Sequence, residues 1–169
     1  EFFNEDEILK KVGLPCFVKA NKSGSSYGVF KVNTKNEIST SLKNAFKYDD
    51  EVLIESFLDG KEVSVGVMKF NDVIKVFGIT ELISENDFFD YNAKYNGQSQ
   101  EITPAKISEV QRKNVSEMAI KIYGKLRIKG FSRSEFIFIG NTPYFLQLNS
   151  IPGMTQESIF PKQAKKRGI

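Results

Sequence analysis

Two pairs of neighbouring strand patterns constrain the fold of this chain more than any other feature of its sequence. Residues 62–80 contain two runs in which apolar side chains alternate with small or polar ones, separated by a turn signal at Asn71-Asp72. Residues 135–148 contain two further strand patterns around Gly140. Because short turns join strands only in antiparallel order, each pair predicts a hairpin. Apolar residues at helical spacing predict helices over three ranges: 5–12, 38–46 and 108–126. The sequence therefore predicts an α+β protein with antiparallel sheets flanked by helices.

The absence of histidine and the presence of a single cysteine, Cys16, limit the chemistry open to this chain of 169 residues. These counts exclude an internal disulfide framework, cysteine-rich or histidine-ligated zinc, and nucleophiles activated by histidine. The remaining groups are lysine, arginine, carboxylates, hydroxyls and backbone amides, which suit the handling of phosphate with a hard metal ion.

The charge and hydropathy patterns indicate a protein without nucleic-acid or membrane partners. The net charge is only +3, from 24 basic and 21 acidic residues, which is too weak to indicate nucleic-acid binding. Residues 1–11 are acidic and polar, with no apolar core of a signal peptide, and no apolar run is long enough to span a membrane. We expect a cytoplasmic setting.

A lysine followed by a glycine- and serine-rich loop is the first candidate binding element. Lys19 ends a predicted buried strand, and residues 21–28 form the loop. Backbone amides and hydroxyls of such a loop can surround phosphate oxygens while the lysine adds charge. The alternative is a flexible polar surface loop. The spacing does not match the phosphate-binding loop of P-loop NTPases.

Two glutamates follow apolar segments in the same part of the chain. Glu55 is predicted to end the strand at 52–54, and Glu62 follows a turn at 59–61. A carboxylate in such a place can accept hydrogen bonds from an adenine amine or from ribose hydroxyls. Read alone, the two positions favour solvated turn residues over a binding role.

Four polar residues alternate with apolar or small neighbours on the strands of the second hairpin: Arg133, Glu135, Gln147 and Asn149. If Glu135 pairs with Gln147, Arg133 pairs with Asn149, and all four side chains share one face of the sheet. The same register places Ile139 near Pro143. A face of this composition is costly to bury without a ligand, and its oxygens suit Mg²⁺. The alternative is an exposed sheet face.

Two further segments carry candidate functional residues. After the second hairpin, Gly153 can offer its backbone N–H to an oxyanion, and Ser158 and Lys162 can reach a substrate carboxylate; the alternative is a plain turn into a helix. Residues 84–103 are polar, with clustered Phe and Tyr and no regular period, which predicts an irregular lid.

Four motifs follow one another in order along the chain. They are Phe17-Val18-Lys19-Ala20-Asn21 with Ser23-Gly24-Ser25-Ser26, Phe88-Phe89-Asp90-Tyr91 with Ala93-Lys94-Tyr95, Glu101-Ile102-Thr103-Pro104-Ala105, and Asn149-Ser150-Ile151-Pro152-Gly153-Met154-Thr155. In order and spacing, these motifs resemble the D-alanine–D-alanine ligases, a family of the ATP-grasp superfamily. The resemblance implies an ATP-grasp fold, with residues 1–55 in part of the central lobe and 56–169 in the C-terminal lobe.

The resemblance also implies roles for individual residues around ATP. Lys19 would contact the phosphates, Glu55 the adenine amine and Glu62 the ribose. The remaining nucleotide residues would be the hinge and wall residues Phe57 and Leu58, the closing-loop residues Ser25 and Ser26, and the lid residues Lys94 and Tyr95. Ser26 and Tyr95 are also expected to serve catalysis.

For the reacting groups, the resemblance implies that Arg133 and the Gly153 N–H steady the tetrahedral centre and that Ser158 and Ile159 hold a substrate. Glu135, Gln147 and Asn149 would occupy the positions of ligands to Mg²⁺ or Mn²⁺. The implied reaction phosphorylates one D-alanine, and the amine of a second D-alanine then attacks the acyl phosphate. Relatives that make D-alanyl-D-lactate are expected to carry a lid histidine, which this chain lacks.

The sequence departs from the family pattern at two metal positions. Position 147 is Gln where the family has a Glu that bridges two metal ions, and position 135 is Glu where most members have Asp. The resemblance further implies a longer enzyme with an N-terminal lobe, for which a homodimer is one possible assembly. Two alternatives stay open: a nucleotide-binding module of this fold without catalysis, and an ATP-grasp ligase for another amino acid.

Overall fold

The computed structural model describes residues 3–24, 26–84 and 99–168. These residues belong to two compact units, of which unit 1 extends as far as Leu58 and unit 2 comprises Asp59–Ser84 and the residues from Ser99 onward. Ser25, Lys94 and Tyr95, which the sequence proposes as functional residues, lie outside the described residues.

The helices of unit 1 follow local signals in the sequence. Helix α1 spans Glu5–Val12; the Asn4 side chain accepts hydrogen bonds from two backbone N–H groups of its first turn, and Gly13, with φ of 72°, ends it. Helix α2 spans Ile38–Ala45 and follows a short 3₁₀ turn at Lys35–Glu37. The predicted bounds of α1 are therefore confirmed, and α2 ends one residue earlier than predicted.

The sheet of unit 1 is antiparallel and has the order β2-β1-β3. Its strands are β1 (Cys16–Ala20), β2 (Val29–Val32) and β3 (Val52–Ser56). Both helices contribute to one hydrophobic core together with alternate residues of the strands, including Cys16, Val18 and Val32. Since side chains alternate across a strand, the intervening residues Phe17, Lys19 and Glu55 face away from this core.

Unit 2 contains a five-stranded antiparallel sheet of order β6-β5-β4-β7-β8. Its strands are β4 (Lys61–Phe70), β5 (Val73–Ser84), β6 (Ser99–Ile102), β7 (Phe131–Ile139) and β8 (Thr142–Asn149). Both predicted hairpins are confirmed, as β4–β5 and β7–β8, and β4 also pairs with β7. The predicted α+β class is confirmed.

One face of this sheet is covered by helix α3, Glu109–Lys125. Ser108 and Gln111 form the predicted capping box, in which each side chain accepts from the backbone N–H of the other residue. Val115, Ala119 and Tyr123 of α3 are buried against alternate strand residues such as Val65 and Phe136. This packing leaves the other set of strand residues on the opposite face.

Helix α4, Ile159–Lys166, packs on that opposite face of β4 and β5. Its Gln163 is fully buried and donates hydrogen bonds from Nε2 to the Ser64 carbonyl and to Thr80 Oγ1, both at 3.0 Å. Gly66 and Gly78 are cross-strand partners beneath this side chain. A Cβ at either glycine would lie within 2.1–2.7 Å of Gln163, so the pair of glycines makes room for it.

The register of the β7–β8 hairpin agrees with the sequence at one end only. Glu135 pairs with Gln147, as predicted. A β-bulge between Glu135 and Phe136 then shifts the register by one residue, so Ile139 pairs with Thr142 and not with Pro143. The prediction for Ile139 is wrong because a bulge places two residues of one strand opposite one of its partner, which a constant register ignores.

Two other expectations are wrong in their bounds. The strand predicted to end at Glu55 continues by one residue, to Ser56, so Glu55 lies within β3. The predicted irregular segment 84–103 ends in strand β6, which pairs antiparallel with β5. Its middle, residues 85–98, lies outside the described residues.

Candidate functional site

Lys19 and Glu55 form an ion pair on the face of the unit 1 sheet that is turned away from the core. The distance from Lys19 Nζ to Glu55 Oε2 is 2.7 Å, and the two side chains are 20% and 38% exposed. The pair forms because β1 and β3 are antiparallel neighbours: Glu55 lies opposite Phe17, which is two residues before Lys19 and on the same face of the strand. Two residues that the resemblance assigns to different parts of ATP are thus each other's partner in this structure.

Aromatic and basic residues line the same part of unit 1. The Phe17 and Phe57 rings lie 6.1 Å apart, and Lys31 Nζ lies 5.1 Å from the centroid of Phe57. Phe57 follows β3 directly and is half-buried, as is Leu58. A half-exposed aromatic ring beside lysines can stack on a nucleobase, which agrees with the wall role that the resemblance gives to Phe57.

The glycine- and serine-rich loop is anchored at both of its ends. At its start, the Lys22 N–H donates to Asp49 Oδ2 at 2.5 Å, and Lys22 Nζ lies 3.3 Å from both Asp50 and Glu51. At its end, Gly28 adopts φ of 69°, and a Cβ there would lie 3.1 Å from Tyr48. The anchors fix where the loop leaves and rejoins the sheet.

Hydrogen bonding and charge at this anchor lower the pKa of Asp49 and that of Glu51. A side-chain hydrogen bond with Asp50 and the N–H groups of Glu51 and Lys22 lower the pKa of Asp49 to about 2. Within the loop, Ser26 has a left-handed backbone with φ of 62°. The Lys22–Asp49 anchor was not predicted from the sequence, although the run Asp49-Asp50-Glu51 indicates a local negative charge.

The polar residues of the β7–β8 hairpin meet on one face of the unit 2 sheet. Arg133 Nη2 lies 3.0 Å from Glu135 Oε1, and Gln147 Nε2 donates a short hydrogen bond to Glu135 Oε2. Asn149 pairs with Arg133 in register, and its Oδ1 accepts from the Ile151 N–H at 3.0 Å. The predicted common face is confirmed. Glu135 is only 6% exposed, whereas Gln147 and Asn149 are exposed.

The neighbouring strand adds a second carboxylate to this face. Ser64 of β4 pairs with Glu135, so Glu62, two residues before it, shares the face. Arg133 Nε and Ser64 Oγ are buried without a hydrogen-bond partner. These groups leave the face with unused hydrogen-bonding capacity beside the ion pair.

The donor atoms on this face fit one divalent cation but not a bridged pair of cations. Carboxylate and amide oxygens are suitable ligands for Mg²⁺, and Glu135, Gln147 and Asn149 together offer three such groups. Only one of the three is charged, and that charge already pairs with Arg133. Among the described residues, no three acidic or cysteine side chains gather closely enough to hold a metal ion.

The segment between β8 and α4 brings Gly153 and Ser158 together. A Cβ at Gly153 would lie 2.8 Å from Ser158 Oγ, so only glycine fits this approach without a shift. Ser158 Oγ accepts from the Thr155 N–H at 3.2 Å and shares a hydrogen bond with Thr155 Oγ1 at 2.9 Å. Ile159 is only 5% exposed, and as the first residue of α4 its backbone N–H has no acceptor within the helix. The hydrogen bonds between Thr155 and Ser158 were not predicted from the sequence.

Lys162, the other residue proposed for a substrate carboxylate, has acidic partners. Its Nζ lies 3.2 Å from Glu101 of β6 and 3.3 Å from the exposed Glu157. Hydrogen bonds to these two carboxylates oppose its partial desolvation, and its pKa is raised above the usual value. Lys162 therefore stays protonated at neutral pH.

Across the described residues, no helix is long and apolar enough to cross a membrane.

The architecture of antiparallel sheets with helices is that of ATP-grasp ligases, and solved structures of such enzymes match it closely. A D-alanine–D-alanine ligase from Bacillus anthracis matches with a TM-score of 0.84 and 33% identity over 99% of this chain and 54% of its own. The chain belongs to the D-ala D-ala ligase C-terminus family, whose model matches residues 3–169.

Curated relatives agree with this assignment. D-alanine–D-alanine ligases of Flavobacterium johnsoniae and Christiangramia forsetii are 58% and 57% identical over 98% of this chain. The chain spans about half the length of these relatives, at 51% of each. The D-Ala:D-Ser ligase VanG from Enterococcus faecalis also matches, with a TM-score of 0.83 and 32% identity over 97% of this chain and 48% of its own.

Proposed function

We propose that this chain carries ATP- and substrate-binding residues of a cytoplasmic ligase that joins two D-alanines into D-alanyl-D-alanine for peptidoglycan synthesis. The single observation that carries the proposal is the shared face of Arg133, Glu135, Gln147 and Asn149 in a chain of the D-ala D-ala ligase family. A D-alanine–D-alanine ligase from Bacillus anthracis solved in complex with ATP has the same fold, with a TM-score of 0.81, 32% identity and coverage of 100% of this chain and 53% of its own.

In unit 1 we propose that ATP replaces Glu55 as the partner of Lys19. Lys19 would turn to the phosphates, which carry more negative charge than one carboxylate. Glu55 would then accept from the adenine amine beside the ring of Phe57 and the side chain of Leu58. Ser25 and Ser26 would close over the γ-phosphate with Lys94 and Tyr95 of the lid. The ion pair at 2.7 Å supports this exchange because it keeps both side chains in place without nucleotide.

In unit 2 we propose that Glu62 holds the ribose and Arg133 the reacting oxygens. Glu135, with the amide oxygens of Gln147 and Asn149, would hold one Mg²⁺ or Mn²⁺, which when bound supplies positive charge beside the phosphates. Arg133 Nε is buried and unpartnered, so the guanidinium retains a donor for a developing oxyanion.

The segment before α4 would bind the second D-alanine. Ser158 Oγ and the backbone N–H of Ile159 are proposed to hold its carboxylate, while the Gly153 N–H donates to the tetrahedral centre. The γ-phosphate of ATP passes to the first carboxylate and ADP leaves; the amine of the second D-alanine then attacks the acyl phosphate and phosphate leaves.

Nucleotide binding tests the unit 1 part of the proposal. In titration calorimetry with a non-hydrolysable ATP analogue, Lys19→Met should bind at least about tenfold more weakly than the native chain. The reason is the loss of one charge-assisted contact of about 1.5–3 kcal/mol. Lys121→Met removes the same charge from an exposed position on α3 and serves as the matched control. Equal binding by both variants would contradict the role of Lys19.

D-Alanine-dependent phosphate release tests the reaction, with this chain compared against the full-length protein. The full-length protein should release phosphate and form D-alanyl-D-alanine, whereas Arg133→Met should abolish both. The likeness to VanG, a D-Ala:D-Ser ligase, favours one alternative second substrate, so D-serine is added in a competing arm. Preferential formation of D-alanyl-D-serine would show that D-serine, and not D-alanine, is the second substrate.

A further inference from the structure

The cluster around Glu135 is electrically neutral, which is unusual for a metal-binding face. Arg133 contributes one positive charge and Glu135 one negative charge, while Gln147 and Asn149 are neutral amides. A site for two divalent cations normally gathers several carboxylates around them. Two further carboxylates share this face of the sheet: Glu62 of β4, which pairs with Ile137, and Glu101 of β6, which pairs with Leu82 and lies 3.2 Å from Lys162.

The two oxygens of Glu135 already have partners within the chain. Oε1 accepts from Arg133 at 3.0 Å and Oε2 accepts from the Gln147 amide nitrogen. Because Gln147 turns its N–H₂ group toward Glu135, its own oxygen is turned away from the carboxylate. Asn149 Oδ1 is likewise engaged, by the Ile151 N–H. In this arrangement Gln147 stands where a cation would neutralise Glu135.

We propose that Gln147 makes this a site for a single divalent cation, which binds only when the Gln147 amide turns over and releases Glu135. The inference rests on the proposed function and deepens its metal site. A single amide oxygen without charge cannot bridge two dications, so one cation is the most that this face holds with nucleotide. The amide also competes with that cation for Glu135, which weakens cation binding further.

Binding of Mn²⁺ alone, followed by electron paramagnetic resonance, tests the competition without nucleotide. Gln147→Glu should bind Mn²⁺ at least about tenfold more tightly than the native chain, because it removes the competing donor and adds a carboxylate. Gln156→Glu adds the same charge at an exposed position of the segment after β8 and should leave Mn²⁺ affinity unchanged. Equal affinities of the native chain and Gln147→Glu, including no binding by either, would overturn the proposal.

Thermal unfolding gives a second readout that activity does not enter. Without metal, Gln147→Glu should melt at a lower temperature than the native chain, since two carboxylates would then face each other beside one guanidinium. Saturating Mn²⁺ should raise the melting temperature of Gln147→Glu and change that of the native chain much less. If Mn²⁺ raised the melting temperature of the native chain as much as that of the variant, the proposed competition between Gln147 and the cation would be contradicted.

The count of Mn²⁺ bound with a non-hydrolysable ATP analogue completes the test. The native chain should bind one ion per nucleotide complex and Gln147→Glu two, and two ions on the native chain would overturn the proposal. Failure of the chain to bind the analogue would contradict the proposed function. The inference would still stand if Gln147→Glu tightened Mn²⁺ binding in the metal-only titration.

Discussion

Gln163 packs against two glycines, Gly66 and Gly78, and the distances in this contact predict how much stability a substitution there would cost. In Gly78→Ala, the new Cβ would lie 2.7 Å from Gln163 Cβ and 2.8 Å from its Cγ. These atoms form the stem of the side chain, so they can move only if helix α4 moves. Overpacking of this kind costs about 1–3 kcal/mol, and loss of two hydrogen bonds by Gln163 adds about 0.5–1.5 kcal/mol each. Against a gain of about 0.4–1 kcal/mol from the less flexible unfolded chain, we expect a net loss of about 3 kcal/mol, within a range of about 1–5 kcal/mol.

Gly66→Ala should behave differently, although its Cβ would approach Gln163 Oε1 to 2.1 Å. That oxygen is the end of a flexible side chain, and it has no hydrogen-bond partner to lose. Removal of the side chain in Gln163→Ala relieves this contact but leaves Gln163 Cβ in place. Gln163→Ala should therefore rescue Gly66→Ala and fail to rescue Gly78→Ala, as a double-mutant cycle would show.

Urea unfolding followed by far-ultraviolet circular dichroism measures these free energies, since the chain has no Trp. Gly124→Ala, within helix α3, is the matched control. A Cβ at Gly124 would have one neighbouring atom in ordinary van der Waals contact, Ile74 Cδ1 at 3.8 Å. This substitution should stabilise by about 0.5–1 kcal/mol, because Ala is a better helix residue than Gly. If Gly78→Ala were as stable as the native chain, or if Gln163→Ala rescued both glycine variants equally, the packing argument would fail.

Three further predictions concern the anchors of the fold. The pKa of Asp49 is lowered to about 2, so its contribution to stability should be complete above about pH 4 and lost as the pH falls through 2; acid titration of Asp49→Asn should show a smaller loss over that window. Ser108→Ala should cost about 1 kcal/mol in urea unfolding, through loss of the cap of α3, and a native-like midpoint would contradict this. Glu81, whose side chain is 8% exposed, pairs with Lys61 at 2.8 Å, so Lys61→Met should cost about 3 kcal/mol in urea unfolding by leaving a buried carboxylate without its cation. Glu81→Gln should cost less, because Lys61 is 36% exposed and still donates to the Lys106 carbonyl.

Helix ends and strand faces were predictable because their signals are local. The capping box of Ser108 and Gln111 and the terminal Gly13 mark helix ends through hydrogen bonds to residues three or four positions away. The common face of Glu135 and Gln147 followed from the period of two along each strand. Both kinds of signal are carried by residues that are close in the chain, so the sequence alone contains them.

The elements that the sequence missed depend on distant neighbours. Strand β6 has no alternating pattern and forms because β5 offers it an edge. The bulge after Glu135 changes the pairing of Ile139 because it depends on how two strands pack, and no single strand signals it. The Lys22–Asp49 anchor joins residues 27 positions apart, so a list of charges did not identify it.

The sequence by itself determined the class, the hairpins and the identity of the residues on the shared polar face of the second hairpin, because alternation and motif order are local or linear properties. Only the tertiary structure decided how those residues engage each other. Nothing in the sequence around Gln163 signals its burial, which depends on Gly66 and Gly78 far earlier in the chain. Likewise, the neutrality at position 147 is visible in the sequence, but the donation of its amide to Glu135 depends on side-chain orientation across the sheet. Side chains that face each other across two strands have many orientations of similar local energy. Packing against residues that are distant in the chain selects the one that forms.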